Sequence, residues 1–120
     1  MKKILIVDDR EEIRDLICMV IRKTYDILQA GNGREAIEMT RKHKPDLILM
    51  DIIMPEMNGL EVTRKLKGDP ETSQCKIIML TAMGQKTDYE TGIEFGADAY
   101  ITKPFSPSVL MKTIREILEE

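Results

Sequence analysis

Tryptophan is absent, phenylalanine occurs twice and histidine once. With nine methionines in their place, the core has to be filled by flexible aliphatic side chains rather than stacked rings. The two cysteines, Cys18 and Cys75, are far apart, form no CxxC and lie among apolar neighbours. They read as free buried thiols, not as a disulfide. There is no His/Cys cluster of the kind zinc needs. No apolar run exceeds a few residues, so no segment spans a membrane as a helix. The start, MKKILIVDD, opens like a signal peptide but turns acidic after four apolar residues, and a cytoplasmic location is the expectation. Basic residues do not cluster and the net charge is −3, which excludes direct nucleic-acid binding through a positive face. Internal repeats, linkers and low-complexity segments are also missing.

What is present suits a folded unit. Hydrophobic residues make up 42% and charged residues 32%, a globular rather than a disordered balance. A chain of 120 residues fits one domain, residues 1–120. It should bury roughly two-thirds of its unfolded surface.

Five short apolar runs predict strands at 3–7 (KILIV), 25–30 (YDILQA), 46–50 (DLILM), 76–80 (KIIML) and 98–101 (DAYI). The first, third and fourth are nearly continuous, as in parallel strands covered on both faces. The second alternates and the fifth is short and half polar, so both belong at the edges. Helical periodicity fills the gaps. Ile13, Leu16, Ile17, Val20 and Ile21 form one stripe, and Ala36, Ile37 and Thr40 follow Asn32-Gly33 as cap. Leu60, Thr63 and Leu66 follow Asn58-Gly59. Tyr89, Ile93 and Gly96 form a weak stripe, and Leu110, Ile114, Ile117 and Leu118 a strong one, opened by Ser106 and Pro107. Strict alternation of strand and helix predicts an α/β, flavodoxin-like, doubly wound domain with a five-stranded parallel sheet. Of the two strand orders common in such folds, 2-1-3-4-5 is favoured because it puts the apolar runs in the centre.

Such a sheet binds ligands beyond its carboxyl ends, where the strand order switches. Asp8 and Asp9 follow the first strand, Asp51 the third, Thr81 the fourth, and Thr102, Lys103 and Pro104 the fifth. Singly, an Asp there is a turn residue, a Thr is structural and a Lys reaches into solvent. Jointly they bring three carboxylates, a hydroxyl and an ammonium into one cleft. Two carboxylates about 5 Å apart repel by roughly 3 kcal/mol at an effective dielectric of 20. A cation among them, or protonation, relieves this. An open all-oxygen set suits Mg2+, with Mn2+ as the alternative. The cleft reads as a phosphoryl-transfer site with a carboxylate nucleophile.

The constellation resembles the receiver domain of two-component response regulators, of the single-domain type found in chemotaxis and sporulation relays. It is carried by ILIVDD, LILMDIIMPEMNG, IIMLTAMG and YITKPF, and covers essentially the whole chain. The resemblance implies that Asp51 accepts a phosphoryl group from a phosphohistidine on a sensor kinase or histidine phosphotransfer protein. It implies Mg2+ on Asp9, Asp51 and the backbone carbonyl of Ile53, with Asp8 acting through water. Lys103 would pair with the phosphoryl group, Thr81 would hydrogen-bond it, and Tyr100 would be the switch aromatic. A cis Lys103–Pro104 bond is part of the same pattern. The output face would be the fourth helix, fifth strand and fifth helix, residues 84–118, signalling to a downstream protein by contact. The chain would catalyse its own phosphorylation and dephosphorylation while acting as a switch.

Ile13, Pro104 and Phe105 are expected to form an apolar rim for the kinase's helical domain; the alternative is that Ile13 and Phe105 are core residues. Ile53 and Met83, each two residues past a site residue, are expected to shield the acyl phosphate from water. His43, in RKHKP at a helix end, is a dipole-complementing cation rather than a relay group. An aspartyl phosphatase would carry a second Asp where Ile53 stands. A flavin-binding module would need Ser, Thr and Gly where DDREE stands. A receiver retained only as a scaffold would not need the full acceptor set. A stand-alone receiver is favoured over a fragment of a longer regulator.

Overall fold

The computed structural model describes residues 1–82 and 96–120. In chain order the described elements are β1 (Lys3–Val7), α1 (Glu11–Ile21), β2 (Asp26–Ala30), α2 (Gly33–His43), β3 (Leu47–Asp51), α3 (Gly59–Lys67), β4 (Lys76–Ala82), β5 (Ala99–Lys103) and α4 (Pro107–Leu118). The five strands form one parallel sheet in the order β2-β1-β3-β4-β5. This is the predicted order, with the alternating and half-polar strands at the edges. The predicted fourth helix, with Tyr89 and Ile93, lies outside the described residues.

Burial follows from the strand period. Successive side chains point to opposite faces, and every residue of β3 is buried. Leu5, Val7, Ile48, Met50, Ile77 and Met79 pack on one face with Ala36, Val62 and Leu66 of α2 and α3. Ile4, Ile6, Leu47, Leu49, Ile78 and Leu80 pack on the other with Ile17, Ile21, Leu110 and Ile114 of α1 and α4. Both layers are mainly aliphatic, and Tyr25 is a fully buried aromatic in the second. Cys75 is buried, Cys18 half-buried, and both are free thiols.

The caps are those the sequence indicates. Asn32 accepts from the Glu35 N–H at 2.8 Å, and Asn58 from the Glu61 N–H at 3.0 Å. Glu35 also reaches back to the N–H of Gly31, one residue before the cap, at 3.1 Å and ties the entering loop to the helix. Ser106 accepts from the Val109 N–H at 3.2 Å, with Pro107 in the first turn. His43 sits in the last turn of α2 with Arg41 and Lys42. The antiparallel run of α2 places it at the end of the sheet away from Asp51.

Two expectations need correction. Leu16 does not belong to the buried stripe of α1, being 59% exposed. The buried line runs through Ile17 and Ile21, and Leu16 falls on its flank. Asp51, Thr81, Thr102 and Lys103 do not follow their strands but belong to them. The ladder continues through Thr81 opposite Thr102 and Ala82 opposite Lys103.

Between β3 and α3 the chain folds back on itself, and the Gly59 N–H donates to the Ile52 carbonyl at 2.8 Å. A Cβ at Gly59 would overlap the Asp51 carbonyl oxygen and crowd the Ile52 backbone. Backbone cannot yield as a side-chain tip can. Gly59→Ala is therefore expected to destabilise the fold by about 3 kcal/mol. Urea denaturation measures this; a loss near zero would mean α3 can slide away from β3 freely.

Candidate functional site

The carboxyl ends of the strands deliver the site residues. Asp8 leaves β1 opposite the end of β3, because Val7 is in register with Met50. Asp51 is the last residue of β3 and pairs with Leu80, one short of Thr81. Lys103 lies two residues beyond Ile101, which is opposite Leu80. Its long side chain leans back over β4, and Nζ reaches Asp51 Oδ1 at 2.9 Å. The Lys103–Pro104 bond is cis.

Asp8 is fully buried, Asp51 nearly so, and Asp9 exposed. One carboxylate oxygen from each of the three lies within 4.8 Å of the others. Burial pushes the Asp51 carboxyl above the usual carboxylate range. The hydrogen bond and charge of Lys103 pull against this, and the charge of Asp8 adds to it. Asp51, Thr81, Lys103, Asp9 and Ile53 line an open cavity of about 360 Å3 together with Arg10, Ile52 and Leu80. The predicted cleft is thus present. Its donors are all oxygen and its face is open, which fits a hard divalent cation that keeps part of its water.

Not every expected residue is in the cavity. Asp8 is grouped with the other two carboxylates but is not among the residues lining the cavity, whereas Ile53 lines it while 65% exposed. Tyr100 is half-buried on β5, opposite Met79, and packs against the α2/α3 core layer. Met83 lies outside the described residues. Ile13, Pro104 and Phe105 meet in a separate apolar groove between α1 and the start of α4, with Leu16, Val20 and Leu110 beside them. Ile13 and Phe105 also pack partly on the core.

Two arginines were missed by the sequence reading. Arg10 forms a fork on Asp8, with Nε to Oδ1 and a terminal nitrogen to Oδ2, both at 3.2 Å. Asp8 holds the Arg10 guanidinium above its ordinary range by hydrogen bond and charge. Arg14 donates to the Asp8 carbonyl oxygen at 2.7 Å and to Gln29 at 3.0 Å. The available signal was Arg10 itself, a cation at a helix N-terminus, where the dipole disfavours one unless a carboxylate is at hand.

Over residues 4–115 the chain matches the family described as the response regulator receiver domain. It is 42% identical over 119 residues to PilH of Pseudomonas aeruginosa, covering 98% of each chain. It is 44% identical over 118 residues to the phosphate regulon transcriptional regulatory protein PhoB of the same organism, but spans only 52% of that protein. Its fold matches the chemotaxis protein CheY4 of Vibrio cholerae with a TM-score of 0.91 at 31% identity, over 98% of each chain.

The raised Asp51 carboxyl has a consequence for stability. Burial disfavours the charged form of Asp51 in the folded chain, so ionising it there costs stability that the unfolded chain does not lose. Between the ordinary carboxylate value and the raised one, the folded chain keeps a proton that the unfolded chain releases. The cost therefore fades as pH falls through that window. Asp51→Asn without divalent ions should raise stability at pH 7 by about 1 kcal/mol, a Tm gain of roughly 4 °C. The gain should shrink on acidification; a Tm below wild type at pH 7 would show that the Lys103 pair outweighs the burial cost.

Proposed function

The chain belongs to the response regulator receiver family, and from that premise we propose that Asp51 is the phosphoacceptor of a two-component switch. The observation that carries this reading is the buried Asp51 carboxylate held at 2.9 Å by Lys103 and grouped with Asp8 and Asp9. A carboxylate oxygen of Asp51 attacks the phosphorus of a phosphohistidine. The P–N bond breaks, its electron pair stays on the imidazole, and an acyl phosphate forms on Asp51. A bound Mg2+, or Mn2+ in its place, would supply positive charge for the phosphoryl oxygens, held by Asp9, Asp51 and the Ile53 carbonyl, with Asp8 through water. Lys103 exchanges its bond to Asp51 for one to a phosphoryl oxygen. The rigid sheet aims these groups, and none depends on a long loop for its position.

The switch follows from differential contact. Phosphorylation adds up to about two negative charges and three acceptor oxygens. The Thr81 hydroxyl hydrogen-bonds the modified Asp51, and Tyr100 moves into the space this leaves. Only groups that contact the two states differently shift their populations. The signal reaches a downstream protein through the face that includes β5 and α4; the rest of the expected 84–118 face, up to residue 95, lies outside the described residues. Residues 1–120 act as one receiver unit. The apolar groove at Ile13, Pro104 and Phe105 receives the helical domain of the kinase or phosphotransfer protein. Ile53 shields the acyl phosphate from water, and Met83 is assigned the same role from the sequence.

Acetyl phosphate with Mg2+ should add about 80 Da, one phosphoryl group, to the intact mass. The gain should be absent without Mg2+ and in Asp51→Asn. No gain from acetyl phosphate or from a phosphohistidine donor, in folded protein, would overturn the assignment. Once the label is on, Ile53→Asn should lose it roughly 3-fold faster, and an unchanged decay rate would remove Ile53 from that role. Ile13→Ala should slow transfer from a histidine kinase by about 10-fold. It should leave labelling by acetyl phosphate unaltered, which a general loss of the fold would not, while its partial core packing lowers the Tm only slightly.

A further inference from the structure

Asp8 presents a problem that the phosphoacceptor reading leaves open. Its carboxylate is fully buried, and a buried charge persists only when it is paired and hydrogen-bonded. Lys103 does not meet this need, because its Nζ is 3.8 Å from Asp8 and committed to Asp51 at 2.9 Å. Arg10 meets it. Asp8 Oδ1 accepts from the Arg10 backbone N–H at 2.9 Å and from Nε at 3.2 Å, and Oδ2 accepts from the terminal nitrogen at 3.2 Å. The planar fork matches both oxygens at once, which an ammonium cannot do.

The two partners differ in their freedom. The Asp8 backbone is pinned on both sides, its N–H on the Ala30 carbonyl at 3.2 Å and its own carbonyl under Arg14 at 2.7 Å. The Arg10 side chain is 47% exposed and opens to water. It also lines the cavity beside Asp9 and Asp51, where a divalent cation would be held. A guanidinium covering both oxygens of Asp8 and a dication among the three carboxylates claim the same negative charge.

We propose that Arg10 is a resident counter-ion that neutralises Asp8 before a divalent cation is bound and has to release it, wholly or in part, when one is. The inference rests on the proposed metal role of Asp8, Asp9 and Asp51. It assigns Arg10 a sign opposite to that of a brace. A residue that merely positioned Asp8 would raise cation affinity, whereas a competing cation lowers it. The chain thereby holds its acidic cluster together without metal, at the expense of affinity for the metal.

The test is calorimetric titration of Mg2+ into wild type, Arg10→Gln and Arg10→Ala at one ionic strength, with Tm measured at zero and saturating Mg2+. Gln keeps a neutral donor for Asp8, so it stays informative where Ala fails to fold. Arg10→Gln should bind Mg2+ about 10-fold tighter than wild type, a difference of about 1.4 kcal/mol. Its Tm without metal should be lower and its Mg2+-induced rise larger. Equal or weaker binding in Arg10→Gln, with wild type binding normally, would overturn the proposal and leave the metal site standing. No Mg2+ binding by any of the proteins would overturn the metal reading itself, and the Arg10 assignment with it.

Discussion

Negative charge at the carboxyl end of the sheet is the constraint on which the rest depends. One oxygen each from Asp8, Asp9 and Asp51 must share a space under 4.8 Å across, and two of the three residues are buried. Carboxylates this close repel strongly, and little water is available to screen the buried pair. The described structure answers with two cations of different kinds. Lys103 is a compact charge on a flexible stem and meets Asp51 at one point. Arg10 is a rigid fork and covers both oxygens of Asp8. Asp9, which faces solvent, is left to water.

Holding charge in this way requires a scaffold that does not yield. Each buried carboxylate sits at the end of a central strand whose residues are covered on both faces. Arg14 fixes the Asp8 carbonyl, and the close approach of α3 at Gly59 fixes the chain just past Asp51. The Asn caps on α2 and α3 do the same for the helix starts, so the loops leading into them add little slack. A site built on strand ends is held more firmly than one built on loops.

Under the proposed function, this arrangement would let the same residues serve binding and switching. Burial makes the charged form of Asp51 costly, and the hydrogen bond and charge of Lys103 pull the other way. New phosphoryl oxygens would redirect Lys103 and Thr81, one on each of two neighbouring strands. Tyr100 lies on the second of those strands, one ladder rung from the core layer it packs on.

Much of this was legible in the sequence because it depends on local pattern. Period-two and continuous apolar runs mark edge and central strands, helical stripes and Asn, Ser and Pro caps mark helix starts, and their alternation implies parallel order. Asp8, Asp9, Asp51, Thr81 and Lys103 could be grouped because strand direction alone carries them to one end of the sheet. What the sequence could not carry depends on which side chains meet across elements. The exposure of Leu16 depends on how wide a face α1 presents to the sheet, and the strand status of Thr81 and Lys103 on how far the β4–β5 ladder extends. The fork of Arg10 on Asp8, the brace from Arg14 and the intolerance of a methyl at Gly59 are contacts between residues whose spacing has no periodic signature. Sequence thus determined the elements, their order and the chemical groups at the sheet's end, since these follow from backbone periodicity. Only the tertiary structure decided how the charges are paired, because pairing is set by distances of a few ångströms that no one-dimensional pattern encodes.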